Sequence, residues 1–170
     1  MAVFFYKGTT STAIYSLTDT ALFRSPDATK VVDVGSGAGL PGIPMAIAQP
    51  NAHFTLVEPM ERRSSWLSDV IQDLGIKNVA VVRARAEEVT DSDFDFATAR
   101  AVASLDKLLR LLTPLIRFSE HRTIIAMKGS KAPEEIVAAA KKLDLLGFST
   151  PEILTLGLNK APETATVVRT

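Results

Sequence analysis

Residues 31–44 read VVDVGSGAGLPGIP, a β-branched apolar run that breaks into glycines at 35, 37, 39 and 42. The stretch parses in two ways. Counted from Gly37 it is a G-x-G-x-x-G, the glycine pattern of a dinucleotide-binding turn. Counted from Asp33 it is a D-x-G-x-G-x-G. The phase against the preceding strand separates the two. KVVDV (30–34) reads as a strand that stops at Gly35, and a dinucleotide fingerprint begun there would put its third glycine on Leu40. In either parse the glycines at 35 and 37 allow a sharp turn and a close approach of backbone to a ligand.

Asp33 carries the decision. A carboxylate aimed into the crevice at the end of a strand repels a pyrophosphate, which needs the bare N–H groups of a helix N-terminus. The same carboxylate favours a ligand with an ammonium and a sulfonium, so the pattern points to S-adenosylmethionine rather than NAD. Glu58 ends the next strand, HFTLV (53–57), where a carboxylate can accept both ribose hydroxyls of an adenosine. RARAEEV (83–89) follows the third strand, and there Ala86 and Glu87 are placed to read the adenine edge.

Working outward, helix and strand signals alternate. A helix is expected over Leu40–Ala48, stopped by Pro50, and another over 61–74, with Trp66, Leu67, Val70, Ile71 and Leu74 on one apolar face. Strands are expected at Val79–Val82, Phe94–Thr98 and Thr123–Met127. Helices should run through Leu105–Leu112 and from Pro133 to Gly147. Two closing strands, 152–156 and 164–169, have no helix between them and should form an antiparallel hairpin at the sheet edge. The fold class is therefore α/β, a mostly parallel Rossmann-like sheet with an antiparallel C-terminal hairpin, the usual core of class I S-adenosylmethionine-dependent methyltransferases.

Composition narrows the chemistry. The 170 residues amount to one domain, with 19 basic and 19 acidic side chains. Any basic footprint for RNA must therefore be local. With no cysteine in the chain, a disulfide, a thiolate metal site and a thiol nucleophile are all excluded. No apolar run is long enough for a membrane helix, and MAVFFYKGTT lacks the basic start and cleavage site of a signal peptide. His53 and His121 show no ligand-like spacing, so no metal is expected. After the fourth strand comes ATARAVASL (97–105), without the (Asp/Asn)-Pro-Pro-aromatic tetrapeptide usual beside exocyclic amine acceptors. An acceptor with an available lone pair, such as guanine N7, is compatible with what remains.

VVDVGSGAGLPGIPMAIAQP, RARAEEV, FDFATARAVASL and AMKG together resemble the small-subunit ribosomal RNA methyltransferase G family, also called glucose-inhibited division protein B. The resemblance covers about residues 30–170. It implies methyl transfer from S-adenosylmethionine to N7 of a guanine in 16S rRNA, in the bacterial cytoplasm, with 16S rRNA or the small ribosomal subunit as partner. It implies that Gly35 and Leu40 contact the methionine half, that Ala86 and Glu87 hold the adenine, and that Arg100 stands at the junction of cofactor and substrate. A monomer without membrane attachment is expected. Alternatives are a methyltransferase for a small molecule and a non-catalytic nucleotide-binding module. Residues 1–29 read as an N-terminal extension shorter than the family's helical segment. Within it IYSLTDTALF (14–23), with Tyr15 and no histidine, is a blurred version of the family's H-x-L-D-S-like stretch.

Arg100 also has a case of its own. It ends the fourth strand, where ligands of open α/β sheets bind, and a guanidinium there can grip a carboxylate or a phosphate bidentately. Lys128 ends the fifth strand on the same edge and could meet an RNA phosphate. Arg62, Arg63, Arg83 and Arg85 could widen a basic rim, while Trp66 is expected in the core.

Overall fold

The computed structural model describes residues 29–100, 103–156 and 165–170. The N-terminal extension expected over residues 1–29 thus lies outside the described residues, apart from Thr29. Seven strands form one sheet: β1 (Lys30–Val34), β2 (His53–Val57), β3 (Val79–Val82), β4 (Phe96–Arg100), β5 (Thr123–Lys128), β6 (Glu152–Leu156) and β7 (Ala165–Arg169). Their order is β3-β2-β1-β4-β5-β7-β6. The first five are parallel, whereas β7 runs antiparallel between β5 and β6. The expected hairpin is therefore present, and its second strand sits inward of its first. The chain reverses its direction of growth between β1 and β4, which opens a crevice above their carboxyl ends.

Helices cover both faces: α1 (Gly42–Ala48), α2 (Glu61–Asp73), α3 (Leu105–Leu112) and α4 (Ala132–Leu145). Period-two alternation sorts the strand side chains. Val31, Phe54, Phe96, Ile125 and Met127 share a cluster with Met45 and Ala46 of α1, and Leu56 meets Ile43 of α1 and Leu67 of α2. On the opposite face Val32, Val34, Ala97, Ala99, Ile124 and Ala126 pack against the leucines of α3 and against Ala139 and Leu143 of α4. Central strands covered on both sides need this continuous apolar character.

Two element starts and one burial assignment depart most from the sequence expectation. Helix α1 begins at Gly42 rather than Leu40, because the preceding residues are spent on a turn in which Gly39 and Leu40 N–H both donate to the Ser36 carbonyl. Its far end is closed by Asn78, whose side-chain amide donates to the carbonyls of Ala46, Gln49 and Ala52. Strand β4 begins at Phe96 rather than Phe94. Asp95 accepts from the Lys30 N–H and the Ser119 hydroxyl, and the ladder with β1 starts one residue later, at the Val31–Phe96 pair. Trp66 is corrected from core to surface at 47% exposure. The buried stripe of α2 passes through Ser64 and Leu67, and one residue back from Leu67 is about 100° around the helix.

Candidate cofactor site at the carboxyl edge of the sheet

The glycine run forms the floor of the crevice between β1 and α1. Gly35, Gly37 and Gly39 have φ of 71°, 57° and 77°, left-handed values that side chains with a Cβ rarely adopt. Gly42 is needed for a different reason: a Cβ there would lie 2.3 Å from Leu56 Cδ2 and 2.8 Å from Asp33 Oδ2. The parse beginning at Asp33 thus marks the glycines that turn the chain. The glycine that belongs only to the other parse lets α1 pack on the sheet.

Two carboxylates brace this loop. Glu58, 3% exposed, accepts the Gly37 N–H at 3.0 Å on one oxygen and the Met60 N–H at 3.0 Å on the other. It thereby ties the glycine loop to the entrance of α2. Asp33 is 1% exposed, and its Oδ2 accepts the Gly42 N–H at 3.1 Å. The sequence reading aimed this carboxylate into the crevice, but it lies beneath the loop. Burial pushes its pKa up to about 7, against the opposing pull of the Gly42 N–H, the Ser36 hydroxyl and the Arg100 charge. The Ser36 hydroxyl itself donates to the Asp33 carbonyl at 2.8 Å.

Among the described residues Asp33 Oδ1 is buried without a hydrogen-bond partner, and so is Oγ1 of Thr98. The two residues are directly paired across the β1–β4 ladder, so their side chains share a face. Thr98 escaped the sequence reading because a threonine in a strand signals only β propensity. Its place beside Asp33 follows from pairing two strands far apart in the chain. Arg100 lies two residues further along the same face, half-buried at the sheet edge. It makes no hydrogen bond or ion pair among the described residues, and Asp33 feels its charge. Thr113 Oγ1 and Arg122 Nε are also buried without a partner among the described residues, but only Asp33 and Thr98 lie side by side at the carboxyl edge, next to the glycine loop.

The other predicted positions divide. Leu40 is half-buried in the turn above Asp33. Ala86 is buried and Glu87 exposed, both in a short 3-10 turn after β3 that Glu88 caps by accepting the Arg85 N–H at 2.8 Å. Lys128 requires correction. Its side chain is 6% exposed and its ammonium is 2.8 Å from Glu135 Oε2, while also donating to the Ala103 carbonyl. Glu135 Oε2 in turn accepts the Leu105 N–H at 2.6 Å. Lys128 is a buried clamp joining β5, α4 and the start of α3, with its charge already compensated, and it offers no ammonium to an RNA phosphate. Among the described residues no group of three or more His, Asp or Glu could hold a metal, and no helix is long and apolar enough to cross a membrane.

Comparison with known proteins adds to this geometry. Among solved structures the fold is similar to M. jannaschii TYW2 in complex with AdoMet, with a TM-score of 0.69 at 20% identity, covering 94% of this chain and 74% of that one. It is also similar to precorrin-6y C5,15-methyltransferase from Geobacter metallireducens, with a TM-score of 0.67 at 17% identity, covering 91% and 85%. Both support the class I methyltransferase fold. A curated relative, ribosomal RNA small subunit methyltransferase G of Pseudarthrobacter chlorophenolicus, is 48% identical over 145 residues, 85% of this chain and 66% of the relative. The protein of the same name in Clavibacter michiganensis subsp. michiganensis is 44% identical over 140 residues, 82% of this chain and 65% of the relative. The chain thus spans just under two thirds of the length of these relatives. The family model for rRNA small subunit methyltransferase G matches residues 11–162. With that match over most of its length, the chain belongs to the GidB family, the rRNA small subunit methyltransferase G proteins.

Proposed function

We propose that this protein transfers a methyl group from S-adenosylmethionine to N7 of a guanine in 16S rRNA, in the cytoplasm. The observation that carries the reading is the pairing of a left-handed glycine loop with the orphaned Asp33 Oδ1 beneath it and the unpaired Arg100 beside it. The donor set suits this cofactor. Above the loop there is room, since a Cβ on Gly37 would meet only the Gly35 carbonyl at 3.8 Å. The buried negative charge of ionised Asp33 favours a cationic ligand over a pyrophosphate. Each Glu58 oxygen accepts one N–H and keeps a second lone pair for a ribose hydroxyl. Ala86 and Glu87 border the adenine end, and the Arg100 guanidinium suits the cofactor carboxylate or an RNA phosphate.

When bound, the cofactor supplies an electrophilic methyl on a sulfonium. Glu58, Ala86, Glu87 and Arg100 would hold the cofactor over the glycine loop, where a guanine N7 lone pair could take the methyl. N7 carries no proton to remove, so the site needs no general base. The protein's task is to hold donor and acceptor in line. This agrees with a chain that has no cysteine and no tetrapeptide for amine acceptors after β4. The test is mass spectrometry of 16S rRNA from cells with and without the gene, joined to transfer of labelled methyl by the purified chain. A methylated guanine that depends on the protein is expected. Unchanged rRNA, or transfer only to small acceptors, overturns the reading.

A further inference from the structure

Trp66 is the only tryptophan of the chain, and it stands nearly half exposed on α2. Arg63 and Arg62 lie three and four residues before it, so they share its face of the helix, and both are exposed. Neither pairs with a carboxylate among the described residues. The acid at the helix start, Glu61, is met by Arg83 at 3.1 Å, and Arg85 is exposed just beyond. Helix α2 leaves the carboxyl end of β2 one turn after Glu58, so this basic and aromatic part is the end nearest the cofactor crevice. Further along the same face Asp69 and Asp73 reverse the sign. The face is therefore polarised, with cation and π surface at the rim of the site and anions away from it.

We propose that Arg62, Arg63 and Trp66 form an RNA-docking stripe, the arginines on phosphates and the indole stacked on an unpaired base. The inference rests on the proposed rRNA substrate and adds the surface that meets it. A polyanion explains two unpaired arginines beside an exposed ring better than an apolar partner would, because an apolar partner would bury both guanidinium charges uncompensated. Placing the stripe at the rim also gives a chain of zero net charge the local basic footprint it otherwise lacks.

Because Trp66 is unique, its emission reports docking directly. Titration of the full chain with a single-stranded 16S rRNA fragment should quench it, whereas S-adenosylhomocysteine alone should not. Trp66→Ala should weaken RNA binding about 5- to 160-fold, the range of one base–aromatic stack, while Trp66→Phe retains most of it. Joint Arg62→Glu and Arg63→Glu should flatten the salt dependence by between one and two units of slope, about one for each phosphate the arginines no longer neutralise. Binding of labelled RNA with Trp66 emission unchanged overturns the proposal. So does quenching by S-adenosylhomocysteine alone, which places the ring on the cofactor, or quenching by 30S particles but not by RNA, which places it on a ribosomal protein. None of these readouts needs methyl transfer. RNA that quenches without being methylated sinks the proposed reaction and keeps the stripe; methylated RNA with unchanged emission does the reverse.

Discussion

Two buried polar centres stand at the same carboxyl edge of the sheet, and they are finished differently. At Lys128 the ammonium has Glu135 and the Ala103 carbonyl, and Glu135 has Lys128 and the Leu105 N–H, so donors and acceptors are matched. At Asp33 one carboxylate oxygen and the neighbouring Thr98 hydroxyl have no partner among the described residues. The completed centre joins β5 to α3 and α4 and is structural. The incomplete one lies under the glycine loop, at the proposed cofactor site. Their responses to pH are opposite in sign. Burial raises the Glu135 pKa, but the Lys128 ammonium and the Leu105 N–H outweigh it and hold the carboxyl below its usual value of 4.5. That centre adds stability above about pH 4.5 and loses it on acidification. Asp33, raised from 3.8 to about 7, keeps its proton in the folded state where the unfolded chain has lost it. Its contribution therefore falls as pH rises from about 4 to 7 and stays low above that.

The largest expected effect breaks the contrast at Asp33. Asp33→Asn removes the buried charge, lets the amide oxygen accept from Gly42, and offers the NH₂ group to Thr98. Three pKa units correspond to about 4 kcal/mol as an upper bound. The variant should thus be more stable than the parent by up to that amount at pH 8, and close to it at pH 4, in urea melts at the two pH values. Cofactor affinity should fall, by about 1 kcal/mol, in calorimetry. Equal stability at both pH values would mean that the carboxylate is not strained by burial.

Next comes Glu135→Ala, which leaves the Lys128 ammonium buried with a single carbonyl for company. Breaking a buried pair from one side costs about 3 kcal/mol, an upper figure here because the Glu135 side chain is 27% exposed. A loss of that size in chemical denaturation is expected, and the loss should shrink on acidification below pH 4.5, as the parent's own Glu135 takes up its proton. A change under about 1 kcal/mol would show that water reaches the pair and that the clamp is weaker than its geometry suggests. The smallest effect on stability belongs to Arg100→Lys, within about 0.5 kcal/mol for an unpaired residue at the sheet mouth. Methyl transfer should fall sharply all the same, because the charge is kept and the bidentate geometry lost. Cofactor affinity then separates the two roles: a drop places Arg100 on the cofactor carboxylate, and an unchanged value places it on RNA. A substantial loss of stability would make Arg100 a structural ion-pair residue instead.

These centres also mark the limits of what could be read from the chain alone. The order of elements, the parallel sheet and the turn phased on Asp33 were legible, because each rests on local patterns of a few residues: β-branched runs, helical spacing and left-handed glycines. Strand β4 was misplaced by two residues because Asp95 is held by Lys30 and Ser119, partners 65 and 24 positions away. Trp66 and Lys128 were placed on the wrong sides of the surface for the same kind of reason. Periodicity gives the face of a helix but not where the packed stripe ends, and a lysine at a strand end reads the same whether or not a glutamate on the next helix reaches it. Thr98 was invisible until β4 lay beside β1. The sequence by itself determined where the backbone must turn and which cation-tolerant ligand that turn suits, since φ and alternation are properties of neighbouring residues. Only the tertiary structure decided which charges are buried, paired or left incomplete, since burial and pairing depend on distance in space between residues the chain keeps far apart.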